Sequence, residues 1–216
     1  MRLRPSGNQG PVATSFKSFT LYQREQAWVW EHLALTRARP VGGAPELMAD
    51  VDAFRQDLLK VPRQIDPVLR EVANMRARIA SAKPATSIWD AKIGPGRLQD
   101  IELIAQAGAL LGGSAKTDVG SGLQSAVASG WLNVADADVL RQSYELCWSL
   151  QSAMRLMSGK TITVEHLGQG GLEFLCRTTG QGDIDQLRAA LERAYCHAAA
   201  IIDAVLPQVQ ETDKND

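Results

Sequence analysis

Hydrophobic residues recur at helical spacing along most of the chain. Leu47, Val51, Phe54 and Leu58 are three or four residues apart, which places them on one face of a helix that can begin at Pro45. The same periodicity predicts helices at 15–39 (in two pieces), 66–79, 98–111, 118–130, 136–154, 172–177 and 183–205. Residues 45–207 are therefore expected to form a bundle of about six helices, and the fold class is mainly α.

A break in this pattern divides the chain. Residues 40–43, Pro-Val-Gly-Gly, interrupt the helical spacing and mark a domain boundary. We expect an N-terminal segment at 1–43, a helical bundle domain at 44–208 and a polar tail at 209–216. The helix before the boundary is apolar on several sides, and Trp28, Trp30 and Leu33 are predicted to pack on the bundle.

Composition limits the classes of function. The chain has 216 residues, 45% of them hydrophobic, and a net charge of −1, which suits one domain or one domain with part of another. No apolar run is long enough to cross a bilayer, and no leader for secretion is recognisable. Three scattered cysteines are typical of reduced thiols, so we expect a cytoplasmic protein. The excess of arginine near the N-terminus is too sparse to indicate nucleic-acid binding.

The first residues predict a strand followed by a turn. In Met1–Pro5 the side chains alternate between two faces, so that Arg2 and Arg4 lie side by side, and guanidinium groups suit phosphate or carboxylate. The turn that follows can bring backbone N–H groups near a ligand; it contains Ser6, Gly7, Asn8 and Gly10. Two interpretations stay open at this point: one wall of a polyphosphate site, or an exposed edge strand with ordinary surface arginines.

Within the predicted bundle, Asp100 and Glu102 are the acidic pair to consider as metal ligands. On a helix, residues two apart diverge by about 200°, so the pair is not expected to share a metal ion. Carboxylates in the first turn of a helix also stabilise its dipole, which explains them without a ligand. The histidines show no metal-ligand spacing, and the sequence contains no nucleophile elbow or phosphate-loop motif.

Several long motifs together resemble the glutamine synthetase adenylyltransferase family, and specifically its C-terminal, adenylylating half. They are "RLRPSGNQGPVATSFKSF", "YQREQAWVWEHLALTRARPV", "MRARIA", "WDAKIGPGRLQDIELIAQ" and "GWLNVADADVL". The resemblance implies a polymerase-β-like nucleotidyltransferase core followed by a helical domain. It also implies transfer of AMP from ATP to a tyrosine of glutamine synthetase with Mg²⁺, under control of the PII signalling protein and glutamine.

The resemblance changes the interpretation of the first residues. It implies that the strand and turn at 1–10 form one wall of a metal–triphosphate site, with the binding residues Arg2, Arg4, Ser6, Gly7, Asn8 and Gly10. In the family, the metal-binding carboxylates precede this strand, so residues 1–43 are expected to be the end of the nucleotidyltransferase core. We therefore expect an N-terminally truncated chain without catalytic or metal-binding residues of its own, inactive alone.

Two other interpretations remain. The chain could be a non-catalytic helical module that docks on glutamine synthetase, on PII or on a separate catalytic half, or it could be a truncated reading frame with no role.

One departure from the family pattern also affects the expected structure. Arg97 stands where the family usually has glycine, and arginine would be disfavoured there if the backbone φ were positive.

Overall fold

The computed structural model describes residues 13–83, 85, 87–157 and 164–208. These residues are mainly helical, which confirms the predicted class. They form α1 (Phe16–Glu25), α2 (Val29–Thr36), α3 (Pro45–Leu59), α4 (Ile65–Ala82), α5 (Leu98–Leu111), α6 (Val119–Ala128), α7 (Val134–Met157), α8 (Gln169–Thr179) and α9 (Ile184–Val205), with a 3₁₀ turn at Val164–His166. The strand predicted at Met1–Pro5 and the tail at 209–216 lie outside the described residues.

Polar caps begin three helices where the sequence predicted them. The Ser15 hydroxyl accepts a hydrogen bond from the N–H of Ser18 at 3.2 Å, at the start of α1. The Asp118 carboxylate caps α6, and the Asp183 carboxylate accepts from the N–H of Gln186 at 2.7 Å at the start of α9. Each cap satisfies a backbone donor that has no partner within its own helix.

Two helices begin earlier than predicted. α4 begins at Ile65, one residue before the predicted start, so Asp66 lies inside its first turn. α7 begins at Val134 because the Asn133 side chain accepts from the N–H of Asp136 at 2.8 Å. Asn133 thus caps the helix and moves its start two residues before the predicted position 136.

The main core surrounds α5. Buried side chains from α2, α4, α6, α7 and α9 pack against it. The fully buried side chains of this core include Ile101 and Ile104 of α5 and, from the other helices, Leu33, Leu123, Leu140 and Ile202. A second cluster joins α7, α8 and α9 through Leu150, Leu175, Leu187 and Leu191. α9 contributes to both clusters and so links the two parts of the bundle. None of the described helices is both long and apolar enough to span a membrane.

α5 and α6 approach so closely that a glycine is required at their contact. A Cβ on Gly122 would lie 2.3 Å from the carbonyl oxygen of Ala105, and a Cβ on Gly108 would lie 2.2 Å from that of Gly122. Real Cβ atoms do not come this close to backbone. This packing places α6 directly against the central helix and was not predicted from the sequence.

α2 packs on the bundle as predicted for Leu33, but not as predicted for Trp28. Leu33 is fully buried in the main core, whereas Trp28 is 67% exposed, so the predicted packing of Trp28 is wrong. Trp28 precedes the first turn of α2 as its N-cap residue, and its N–H donates to Glu31 at 2.9 Å. Its side chain consequently lies off the buried face of the helix.

The domain boundary at residue 43 stays a prediction.

A buried arginine attaches α3 to the end of α2. Arg55 is 5% exposed, and its guanidinium donates to the carbonyl oxygens of Leu35 at 2.7 Å and Thr36 at 2.9 Å. A third bond reaches the carbonyl of Ala115 at 2.7 Å, beyond α5. Carbonyls at the end of a helix lack hydrogen-bond donors within the helix. Arg55 provides the donors for the last carbonyls of α2.

We expect the bundle to lose stability in mild acid because of His32. Its Nε2–H can donate to the carbonyl of Gln23 at 2.9 Å while Nδ1 accepts from Arg63 at 3.3 Å, an arrangement of the neutral ring. Burial lowers the pKa of His32 below its ordinary value of 6.5. The folded state therefore favours neutral His32, and this contribution is present above pH 6.5 and lost as the pH falls through the lowered pKa.

Urea unfolding between pH 8 and pH 5 checks this expectation. Protonation of one histidine lowers the free energy of unfolding by at most about 1.4 kcal/mol per pH unit. The variant His32→Gln should remove that part of the decline, whereas His197→Gln, at an exposed position on α9, should leave it unchanged. An unchanged pH profile in His32→Gln would contradict the assignment.

Candidate functional site

The segment between α4 and α5 is fixed against the second core cluster. Trp89 and Ala91 are buried, and the N–H of Leu98 donates to the carbonyl of Ala91 at 3.1 Å. The hydroxyl of Tyr195, on α9, donates to the carbonyl of Ile88 at 3.1 Å. This segment contains the motif "WDAKIGPGRLQD", and these contacts hold it as a defined surface beside α5.

Arg97 adopts an ordinary backbone conformation, so the strain considered for it does not arise. Its φ is −99°, and the positive φ falls on Gly96, at +68°. The Arg97 side chain is 9% exposed, lies 4.4 Å over the ring of Tyr195 and donates to the carbonyls of Ser87, at 2.8 Å, and Asp90. Arg97 therefore holds the segment in place.

A buried ion pair joins α4 to the start of α5. The Nε of Arg76 lies 2.9 Å from both carboxylate oxygens of Asp100, and Arg76 also donates to Asp203 on α9. The N–H of Gly96 donates to Asp100 at 2.9 Å. Burial raises the pKa of Asp100 above its ordinary value, while Arg76 and the Gly96 N–H favour its charged form. The charge of Asp100 therefore depends on Arg76.

Asp100 and Glu102 face different partners, as their spacing predicts. Asp100 pairs with Arg76, whereas Glu102 pairs with Arg37 of α2 at 2.8 Å. The two carboxylates therefore point in different directions, as expected for residues two apart on a helix. Among the described residues, no group of three or more histidine, cysteine, aspartate or glutamate side chains is placed to hold a metal ion.

A groove runs along α4 and α5, and we call it the α4–α5 groove. Its first lobe, of about 440 Å³, is lined by Arg76, Asp100 and Asp203 together with apolar side chains. Its second lobe, of about 610 Å³, extends to α2 and to the segment before α5. The two lobes share the lining residues Ile79, Ile93, Gln99 and Leu103. The groove is thus continuous, and α2 and α9, which are distant in the sequence, complete its borders beside the consecutive helices α4 and α5.

The site residues predicted from the sequence lie outside the described residues. They are Arg2, Arg4, Ser6, Gly7, Asn8 and Gly10. Their proposed contact with a nucleotide consequently stays a prediction. Of the three cysteines, Cys147 is buried, and burial raises its pKa to about 12, which makes it a poor nucleophile.

The groove itself was not predicted. Arg76, Arg78 and Lys92 stand in segments quoted for their family resemblance, but nothing in their local pattern shows which of them are paired. Asp203 lies 103 residues after Asp100, and no sequence signal connects them. Arg76 and Arg78 are two residues apart on a helix, so they point in different directions, and that spacing was the one available sign of different roles.

Comparison with known sequences divides the chain into two matched parts. Residues 68–209, most of the helical bundle, match the family described as GlnD PII-uridylyltransferase. Residues 1–54 match the family described as glutamate-ammonia ligase adenylyltransferase. The helical part thus matches the class of domain found in PII-uridylyltransferases, whereas the N-terminal part matches adenylyltransferases.

Relatives from bacteria extend this similarity over nearly the whole chain. A protein of Brucella suis is 36% identical over 209 residues, covering 95% of this chain and 21% of its own length. Proteins of Rhizobium meliloti and Rhodopseudomonas palustris are 37% and 34% identical, covering 89% and 95% of this chain and 20% and 21% of theirs. Each is named bifunctional glutamine synthetase adenylyltransferase/adenylyl-removing enzyme. This chain belongs to the glutamine synthetase adenylyltransferase family and spans about a fifth of the length of these relatives.

Proposed function

We propose that this chain is the helical part of an enzyme that transfers AMP from ATP to a tyrosine of glutamine synthetase, with Mg²⁺. The observation that carries the proposal is identity of 36% over 95% of the chain with a protein named for that activity. The adenylyltransferase match at 1–54 distinguishes it from the uridylyltransferases that share its helical part.

In this proposal the chain supplies binding and positioning, and other carboxylates hold the metal. Asp100 and Glu102 are each engaged by an arginine and are not disposed as metal ligands. The phosphate contacts proposed for the first residues use guanidinium and backbone N–H groups, which suit anions and not cations. Two-metal nucleotidyl transfer needs carboxylates for Mg²⁺, so the chain alone is proposed to be inactive.

The partners follow from the same resemblance. Glutamine synthetase is the proposed substrate, PII and glutamine are the proposed regulators, and the cytoplasm is the proposed location.

A second candidate function is that of a non-catalytic module that docks on glutamine synthetase, on PII or on a separate catalytic half. Large apolar side chains are exposed on several described helices and loops, and Trp28, Val41 and Leu156 are the most exposed of them. Exposed apolar surface of this kind is typical of contact with another protein or domain.

A chimera tests the proposed function. The segment of the Brucella suis enzyme that matches this chain is replaced by this chain, and AMP incorporation into glutamine synthetase is followed with α-labelled ATP. We expect the chimera to adenylylate, the enzyme with the segment deleted to be inactive, and this chain alone to transfer no label. An inactive but folded chimera would contradict the proposal. Label transferred by this chain alone, and abolished by Asp100→Asn, would contradict the division of roles.

A further inference from the structure

The second lobe of the α4–α5 groove concentrates positive charge. Arg78, Lys83 and Lys92 line it from α4, from the end of α4 and from the segment before α5. Within the described residues none of the three forms an ion pair. The carboxylate in the lining belongs to Glu102, and Arg37 lies 2.8 Å from it. The lobe therefore has three positive charges without an acidic partner in the described structure.

This charge is a local feature. The whole chain has a net charge of −1, so the average surface is close to neutral. Three arginines with protein partners differ from these cations: Arg76 binds two carboxylates, and Arg55 and Arg97 donate to backbone carbonyls. Cations that line one lobe and lack protein partners are the groups that would bind an anion from solution.

The floor of the lobe is apolar and includes an aromatic ring. Trp30, Met75, Ile79 and Leu103 line the lobe together with the cations, and we call these four residues its floor. The side-chain amides of Gln99 and Gln106 also line it and supply hydrogen-bonding groups. A volume of about 610 Å³ is within the range of small-molecule sites, in which apolar walls surround a few polar groups. A ligand that fits has both an apolar, flat body and several negative charges.

We propose that this lobe binds a nucleoside polyphosphate. Its phosphates lie against Arg78, Lys83 and Lys92, and its base lies on the apolar floor beside Trp30. Ammonium and guanidinium groups are the usual phosphate partners, and a base can stack on an indole ring. A phosphate ion alone would leave the apolar floor uncovered. The choice of ATP as the probe rests on the proposed function, whereas the class of ligand rests on the groove.

Calorimetric titration of the full chain with ATP tests the inference. We expect ATP to bind more tightly than tripolyphosphate, and both more tightly than adenosine. The double variant Arg78→Gln/Lys92→Gln should bind ATP at least about tenfold more weakly, because each charge-assisted contact is worth about a factor of ten. Lys60→Gln, at an exposed cation outside the groove, is the matched control and should bind ATP like the unchanged chain. Trp30→Leu should weaken ATP and leave tripolyphosphate unchanged.

Each contrary result has a distinct meaning. ATP binding lost in Arg2→Gln/Arg4→Gln but retained in the groove variant would overturn the inference, since the nucleotide would then occupy the N-terminal segment. A short polyglutamate peptide that binds through the same cations, with no binding of ATP, would also overturn it and would indicate an acidic protein partner. Absence of ATP binding beside an active chimera overturns this inference alone, and ATP binding beside an inactive chimera overturns the proposed function alone.

Discussion

Replacement of Arg76 by alanine is expected to lower the free energy of unfolding by about 3–5 kcal/mol, because it leaves a buried carboxylate without its counter-ion. Asp100 is 7% exposed, and Arg76 provides both of its side-chain contacts at 2.9 Å. The remaining partner, the N–H of Gly96, supplies one hydrogen bond. Urea denaturation followed by circular dichroism measures the change.

Two further variants distinguish the effect of the Arg76–Asp100 pair on stability from the effect of removing any surface charge. Arg141 pairs with Glu145 at 2.8 Å on the exposed face of α7, so Arg141→Ala should leave stability nearly unchanged. The double variant Arg76→Met/Asp100→Leu should be more stable than Arg76→Ala, because no buried charge remains unpaired. Stability of Arg76→Ala equal to that of the unchanged chain would show that Asp100 is solvated or protonated in the fold.

Gly96→Ala is the second substitution with a large expected effect, about 3 kcal/mol or more. A Cβ at this position would lie 2.1 Å from the carbonyl oxygen of Tyr195 and 2.7 Å from the nitrogen of Ala199. The φ of +68° is also unfavourable for alanine. Both effects push the segment before α5 away from α9, so the Gly96–Asp100 hydrogen bond should be lost as well.

The matched control for this substitution is Gly170→Ala in α8. No atom lies within 4 Å of a Cβ at Gly170, and alanine is the better helix former. Thermal unfolding should therefore show a lowered Tm for Gly96→Ala and an equal or slightly raised Tm for Gly170→Ala. Equal stability of the two variants would mean that the contact between the 94–97 turn and α9 is not tight in solution.

Local features of the fold were predictable because local interactions decide them. Asp118 and Asp183 begin α6 and α9 as predicted, since a cap needs only a side chain and an N–H three residues away. α5 begins at Leu98 and ends at Leu111, as its apolar pattern and the glycines that follow it predict. The prediction was less accurate at the start of α7, where Asn133 accepts from the N–H of Asp136 and the helix begins two residues before the predicted position 136.

The sequence alone determined the mainly helical class, the helices themselves and the family. Periodicity, caps and long motifs each involve residues that are close together in the sequence, so they can be recognised without the tertiary structure. The tertiary structure decided which charges are paired. Asp203 reaches Arg76, and Arg97 reaches Tyr195, only because α9 folds back beside α4 and α5. The second lobe of the α4–α5 groove depends in the same way on packing, because α2 closes it against α4 and α5. A helix pattern shows which face is apolar, but the partner of a charged side chain depends on packing between segments that are far apart in the chain.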